Sequence, residues 1–423
     1  MGSEKAAYFL NLRIETFRCF GDVQRLDLSD SKGSWRKWTL ILGDNGTGKT
    51  SLLKVLAAFE IETGFKSNEF SPRGFRERIQ FSGIERIGHS QTEVGIYDIK
   101  GSLFKHELEI FLDGSEVTVY RIESEPDLSN LKCYGYGANR FISFNTLSES
   151  KTENSETLFD DDAKLINAEE WLLQLDYAAS KESEVQQLAA KKREQVKDIL
   201  LDLLPDIYEI RFTTPTKESL KSTVEFLTPY GWVTIHQLSL GYKTMVAWVV
   251  DLAARMFERY PDSENPLAEP AIVLVDEIDL HLHPKWQRKI FDYLDERFPK
   301  TQFIVTAHSP LVVQSAPKDA NIVLLKREGD HVVIDQNIES VRTWRLDQIM
   351  SSDLFGESGR NPEVEKQLNE RTVLLQKSKL TPEETARLQE LNKLAHRLPT
   401  AERKEDIEAM EIIRKAGEIV KNK

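Results

Sequence analysis

Apolar and polar positions alternate along residues 8–42, as in Leu12-Arg13-Ile14-Glu15 and Trp38-Thr39-Leu40-Ile41-Leu42, and this period of two predicts strands. The spacing then changes to a helical one in Ser51-Leu52-Leu53-Lys54-Val55-Leu56-Ala57-Ala58-Phe59. Residues 61–90 carry little pattern and read as an irregular insertion. Three short strand-like runs follow over 93–123, and the last two flank Asp113-Gly114, a hairpin signal. Residues 145–162, rich in Ser, Thr, Asn, Asp and Glu, read as a mobile loop. Helix-forming composition over 164–204 stops at Pro205. Strands are expected again near 207–213 and 223–235. A helix over 238–259, a buried strand over 271–276, a helix over 284–297 and a buried strand over 302–306 complete the alternation, which predicts an α/β fold. The last 60 or so residues are charged, helix-forming and nearly free of aromatics. There Thr381-Pro382-Glu383-Glu384 is a capping box, and Leu398-Pro399-Thr400 separates that helix from a last one near 403–421.

Three segments carry chemistry. Gly43-Asp44-Asn45-Gly46-Thr47-Gly48-Lys49-Thr50 fits G-x-x-x-x-G-K-[ST] between a strand and a helix, the context a phosphate loop requires. Its glycines let backbone amides wrap phosphates, and the helix N-terminus adds partial positive charge. Lys49 would reach the terminal phosphates and the Thr50 hydroxyl would ligate Mg²⁺. Ala271-Ile272-Val273-Leu274-Val275-Asp276-Glu277 is an apolar strand ending in two carboxylates. A strand this apolar is covered on both faces, as in a parallel sheet, and ligands bind at the carboxyl edge of such sheets. Asp276 is placed on Mg²⁺ and Glu277 as the base that polarises water. Gln302-Phe303-Ile304-Val305-Thr306-Ala307-His308 is a second buried strand, with His308 set to hydrogen-bond a γ-phosphate.

Composition narrows the setting. The 423 residues are 40% hydrophobic and 30% charged, enough apolar content for a sizeable core. The formal net charge of −13 disfavours nucleic acid and anionic membrane as direct partners. Cys19 and Cys133 are too few for a disulfide framework and read as small buried hydrophobes. The N-terminal residues show neither a signal peptide nor a myristoylation pattern. No apolar run approaches the roughly 18 residues of a membrane span. A cytoplasmic protein is expected.

Leu238-Ser239-Leu240-Gly241-Tyr242-Lys243 opens a long apolar helix ahead of the strand carrying Asp276. This hexapeptide resembles the LSxGx signature of ABC-type ATPases, and with Lys49, Asp276, Glu277 and His308 in that order the resemblance extends over residues 8–325. Asp276-Glu277-Ile278-Asp279-Leu280-His281-Leu282-His283-Pro284 resembles the corresponding run of soluble ATPases related to RecF, the SMC proteins and the OLD nucleases. The segment Leu12–Phe20 resembles the opening of the same branch. Transporter heads usually place an Asp near position 283, so the resemblance points away from transport. His281 and His283 lack an evident third metal ligand and read as a loop at the intersubunit interface.

The resemblance implies a head at 1–330 with a mixed or parallel sheet. An insertion at about 60–235 holds an antiparallel β subdomain and a helical segment. A C-terminal extension over 331–423 is mostly helical from about 361. It implies ATP and Mg²⁺ as cofactors, with Asn45, Gly46, Gly48, Lys49, Thr50 and Ser51 on the nucleotide, and Thr50 and Asp276 on the metal. Glu277 and His308 are the implied catalytic residues. Ser239 and Gly241 would complete the site of a second copy in a homodimer or higher oligomer. No Q-loop glutamine stands out. Arg140, in Tyr136-Gly137-Ala138-Asn139-Arg140, reads as an ordinary surface arginine, with a γ-phosphate or interface contact as the alternative, and Gln80 is weaker still.

The span from Lys49 to Ser239 is too short for an SMC-type coiled-coil arm. The residues after His308 lack the acidic constellation of an OLD nuclease. The layout is therefore most similar to stand-alone ATPases of bacterial anti-phage systems, such as the PtuA-like component of Septu and retron systems or the AriA-like component of PARIS. Those imply a separately encoded effector nuclease or toxin as partner, with DNA or RNA reached through the complex. A RecF-like repair ATPase and an OLD-like nuclease are the alternatives. The helical tail reads either as a solvated cap or as an oligomer or effector docking surface.

Overall fold

The computed structural model describes residues 7–58 except 16 and 22, then 88–98, 103–113, 116–122, 132–143, 154–336 except 216 and 218–220, 344–352, 354–355, 361–377 and 380–397. Gln80, Gly114, most of the 61–90 insertion, residues 145–153 of the expected mobile loop and the last expected helix lie outside them. The chain divides into two units, Met1–Ile349 and Met350–Lys423.

In the first unit the strands run in chain order as β1 (Ala7–Glu15), β2 (Gln24–Asp27), β3 (Trp38–Gly43), β4 (Gly88–Asp98), β5 (Leu103–Asp113), β6 (Glu116–Ile122) and β7 (Cys133–Tyr136). After two helices, Ala168–Ser180 and Gln186–Leu203, come β8 (Glu209–Phe212), β9 (Val224–Thr228) and β10 (Gly231–Thr234). A long helix, Leu240–Arg259, leads to β11 (Ala271–Val275), β12 (Thr301–Thr306), β13 (Asn321–Glu328) and β14 (His331–Asp335).

The main sheet has the order β14-β13-β3-β12-β11-β7. All its pairings are parallel except β13 with β14. Every residue of β11 and β12 is buried, as a sheet covered on both faces requires; the apolar run is unbroken in β11 and spans Phe303–Val305 in β12. Each fully buried Val, Leu or Ile there contributes roughly 1.5–3 kcal/mol relative to exposure. Trp38 of β3 stacks on Phe303 of β12, ring centroids 4.3 Å apart.

A second, antiparallel sheet has the order β2-β1-β4-β5-β6. The β5–β6 pair closes with Asp113 opposite Glu116, as the hairpin signal predicts. Gln302 of β12 joins the two sheets: its buried amide donates to the Phe9 carbonyl at 2.8 Å and accepts from the Phe9 amide at 2.9 Å. A third small sheet, β10-β9-β8, precedes the long helix.

The expected single helix over 284–297 is two, Pro284–Gln287 and Ile290–Arg297. The Gln287 amide turns back onto the carbonyls of Asp279 and Leu282, and the Lys289 amide takes the tighter bond to Trp286. In the second unit the helices Pro362–Gln376 and Pro382–Arg397 pair through an Arg387–Glu370 fork and an Arg371–Asn392 hydrogen bond. Thr381 and Glu384 form the predicted capping box.

Candidate functional site

Parallel pairing brings the carboxyl ends of β3, β12, β11 and β7 to one edge of the main sheet. The loops leaving these strands therefore meet there, although they come from opposite ends of the sequence. The turn after β3 is the phosphate loop. Gly43, Gly46 and Gly48 all have positive φ. At Gly48 a Cβ would lie 2.5 Å from Cys19 Sγ and 2.9 Å from the Phe20 ring, so both conformation and space demand glycine. The segment Phe17–Phe20 thus supports the loop from beneath. Cys133 is a buried hydrophobe as expected, whereas Cys19 is only partly buried and donates to the Thr47 carbonyl.

Lys49 is buried, and its Nζ donates to the carbonyls of Gly43 and Asp44 at 2.7 and 2.8 Å. Burial pushes its amine below the usual lysine range, against the opposing pull of Asp276 and Glu277. Thr50 donates its hydroxyl to Asp276 Oδ2 at 2.6 Å, and Thr306 donates its own to Asp276 Oδ1 at 2.6 Å. Ser51 accepts from Arg18 Nη1 at 2.8 Å. Asn45 and Gly46 are exposed on the loop.

Beyond β11 the chain turns sharply. Glu277 takes a left-handed φ of 49°. Its amide donates to Thr306 Oγ1 at 2.7 Å. Its carboxylate lies 4.0 Å from His308 Nε2, and both side chains are about one-third exposed. Asp279 accepts the His308 amide on both carboxylate oxygens at 3.2 Å, which fixes the start of the loop after β12. Burial raises the Asp279 carboxyl above its ordinary range, and the amide hydrogen bonds only partly offset that.

Lys49, Thr50, Asp276, Glu277 and His308 are brought together. Ser239 and Gly241 take no part in the hydrogen bonds just described. Ser239 is the exposed N-cap of the helix Leu240–Arg259, and its hydroxyl makes no capping hydrogen bond. Gly241 is packed so closely on the loop after β11 that a Cβ would lie 2.3 Å from the His281 carbonyl. His283 Nδ1 caps the helix Pro284–Gln287 by accepting from the Lys285 amide.

Arg140 corrects the sequence reading most clearly. It is not a surface residue but 2% exposed, and it donates to the backbone carbonyls of Asp276, Glu277 and Gly137. Thr306 and Asp279 were also missed. Their signals, a hydroxyl at the end of a buried strand and a third acid in Asp276-Glu277-Ile278-Asp279, are visible only beside the strand pairing.

The donor set fits a hard divalent cation. One hydroxyl and one carboxylate, all oxygen, already share a proton-bridged contact at the end of the phosphate loop. The loop amides, the helix start and Lys49 fit a polyphosphate. A phosphate loop on a central strand, with its paired acids two strands further out on the same edge, defines the head of a P-loop ATPase of the ABC type. Within that class the chain belongs to the AAA_21 family, described as "AAA domain, putative AbiEii toxin, Type IV TA system", whose model matches residues 39–314.

The chain is similar to the "Septu protein PtuA" of Bacillus mycoides (strain KBAB4), with 25% identity over 384 residues. That match covers 88% of this chain and 48% of the relative, so the chain spans about half that relative's length. It is also similar to the "Retron Vc95 probable ATPase" of Vibrio cholerae serotype O1 biovar El Tor, 25% identical over 375 residues, covering 70% of this chain and 71% of that one. Among solved structures, the Smc head bound to the C-winged helix domain of ScpA matches 78% of this chain and 97% of its own, at 16% identity and a TM-score of 0.45.

Proposed function

We propose that this chain binds and hydrolyses Mg²⁺·ATP, closes as a homodimer around the nucleotide, and through that closure governs a separately encoded effector nuclease or toxin in an anti-phage defence system. The observation that carries the ATPase reading is the linked set Thr50–Asp276–Thr306–Glu277, joined by contacts of 2.6, 2.6 and 2.7 Å at the foot of the phosphate loop. In this reading Thr50 and Asp276 hold the metal, which when bound screens phosphate charge and polarises the γ-phosphoryl group. Lys49 exchanges the Gly43 and Asp44 carbonyls for the terminal phosphates. Glu277 takes a proton from the attacking water, and His308, held by Asp279, donates toward the γ-phosphate. The exposed Ser239 hydroxyl and the helix start behind it form an anion site offered to a second copy. The effector part rests on similarity to the Septu and retron proteins. A cytoplasmic setting goes with it, and no helix among the described residues is long and apolar enough to cross a membrane.

Glu277→Gln tests the mechanism. It keeps nucleotide affinity, lowers kcat by on the order of 10²–10⁴ and enriches an ATP-bound dimer in light scattering. Turnover near the wild-type rate would remove Glu277 from the role of base. For the effector, phage protection by the locus should vanish in Lys49→Ala and in a deletion of the neighbouring effector gene alike. Protection that survives either change contradicts the reading.

A further inference from the structure

Arg140 is a buried cation that, among the described residues, forms no direct ion pair with a carboxylate. Its hydrogen bonds go to main-chain carbonyls, those of Gly137 at 3.0 Å, Glu277 at 2.9 Å and Asp276. Its Nε has no hydrogen-bond partner among the described residues. A desolvated guanidinium with one N–H unpaired destabilises a fold, so filling space does not explain it. Burial pushes the group down to about 10 even against the pull of Asp276, Glu277 and Asp279, so it stays charged near neutral pH.

The carbonyls it grips are the informative part. Asp276 and Glu277 are consecutive, and the peptide between them begins the left-handed turn at Glu277. That conformation is strained for a residue with a Cβ and persists only where its surroundings impose it. Two devices impose it here. Thr306 Oγ1 accepts the Glu277 amide from the β12 side. The Arg140 fork draws the two carbonyls from the β7 side. A planar fork with several fixed donors spans adjacent carbonyls, which a single ammonium cannot do. Arg140 is itself anchored, because it binds the carbonyl of Gly137 in its own loop. Gly137 is in turn pressed so closely on Thr157 that a Cβ would fall 2.0 Å from the Thr157 carbonyl.

We propose that Arg140 is the positioning residue for the water-activating carboxylate, holding the Asp276–Glu277 backbone so that the Glu277 side chain faces the phosphate loop. Its contacts are to the main chain, so it acts through Glu277. The inference rests on Glu277 being the base. Displacement of a reacting group by about 1 Å costs on the order of 100-fold in rate, and that is the scale expected for its loss.

The test uses the full chain carrying Arg140→Gln or Arg140→Lys, with folding checked by thermal melting. Both variants should lose on the order of 100-fold in kcat, while the Kd for a fluorescent ATP analogue changes little. Adding Arg140→Gln to Glu277→Gln should lower kcat no further, because the residue acts through Glu277 alone. A kcat near wild type, a loss of affinity that matches the loss of kcat, or an additive loss in the double variant would overturn the proposal. Failure of both single variants to fold would overturn it too, by making Arg140 a stability residue. If Glu277→Gln alone turns over like wild type, the base assignment has failed, and the proposal goes with it for a different, identifiable reason.

Discussion

Four described residues other than glycine have left-handed backbones, Arg18, Asp206, Glu277 and His281, and three of these lie around the candidate site. Arg18 reaches Ser51 behind the phosphate loop, and Glu277 and His281 bracket the turn after β11. Strain concentrated there follows from forcing several polar groups onto one sheet edge. Asp279 lies inside that turn and is held partly dehydrated by it. Because burial raises its carboxyl, the folded protein binds this proton more tightly than the unfolded chain does. The stability it lends is complete below the unfolded value of about 3.9 and is lost as pH rises through the folded one. Asp279→Asn removes that pH-dependent loss. The melting temperature of the variant relative to wild type should therefore climb as pH rises above about 4. A difference that stays constant over that range would show that hydrogen bonding to His308, not burial, governs the group.

The helix Leu240–Arg259 is bound to the sheet by a buried ionic cluster. Asp251, fully buried, accepts from Arg255 Nε at 2.6 Å and from the Tyr136 hydroxyl at 3.0 Å. Arg255 also reaches Asn154 at 2.9 Å. Tyr136 ends β7 and immediately precedes the loop that carries Arg140, so the helix bearing Ser239 and the strand beside Asp276 share one polar joint. Arg255→Met leaves the Asp251 charge uncompensated and should cost about 3–5 kcal/mol, read as a lower urea midpoint. A midpoint shifted by less than a third of that would mean the joint is solvated. Elements of this kind also mark what the amino-acid sequence could disclose. The phosphate loop, β11, β12 and the capping box at Thr381 were legible because each is a local pattern of a few residues. Arg140 was not, since its burial depends on β7 pairing with β11, which brings Arg140 onto Asp276 across 136 positions of chain. The break near Arg288 was hidden for a similar reason: it is made by Gln287 turning back onto the loop after β11, not by a helix breaker.

At the scale of the whole molecule the net charge of −13 and the anion-binding loop are compatible, because the loop works through amides and one lysine within a few ångströms. The acidity still disfavours sequence-blind coating of DNA by a single copy. In the proposed homodimer the exposed Ser239 of one copy would serve the Lys49 loop of the other. A shared site of that kind predicts complementation. Lys49→Ala keeps an intact signature helix, and Ser239→Arg keeps an intact phosphate loop. Each variant alone should be inactive. In a mixture, heterodimers hold one site in which both defects coincide and one in which neither occurs, so part of the wild-type ATPase rate should return as the second variant is titrated into the first. A mixture that stays as inactive as its components would place Ser239 and Lys49 in the same copy's site, or remove Ser239 from the site altogether. Recovery that rises and then falls as either variant is brought to excess follows the heterodimer population, and that dependence separates a composite site from a contaminating ATPase.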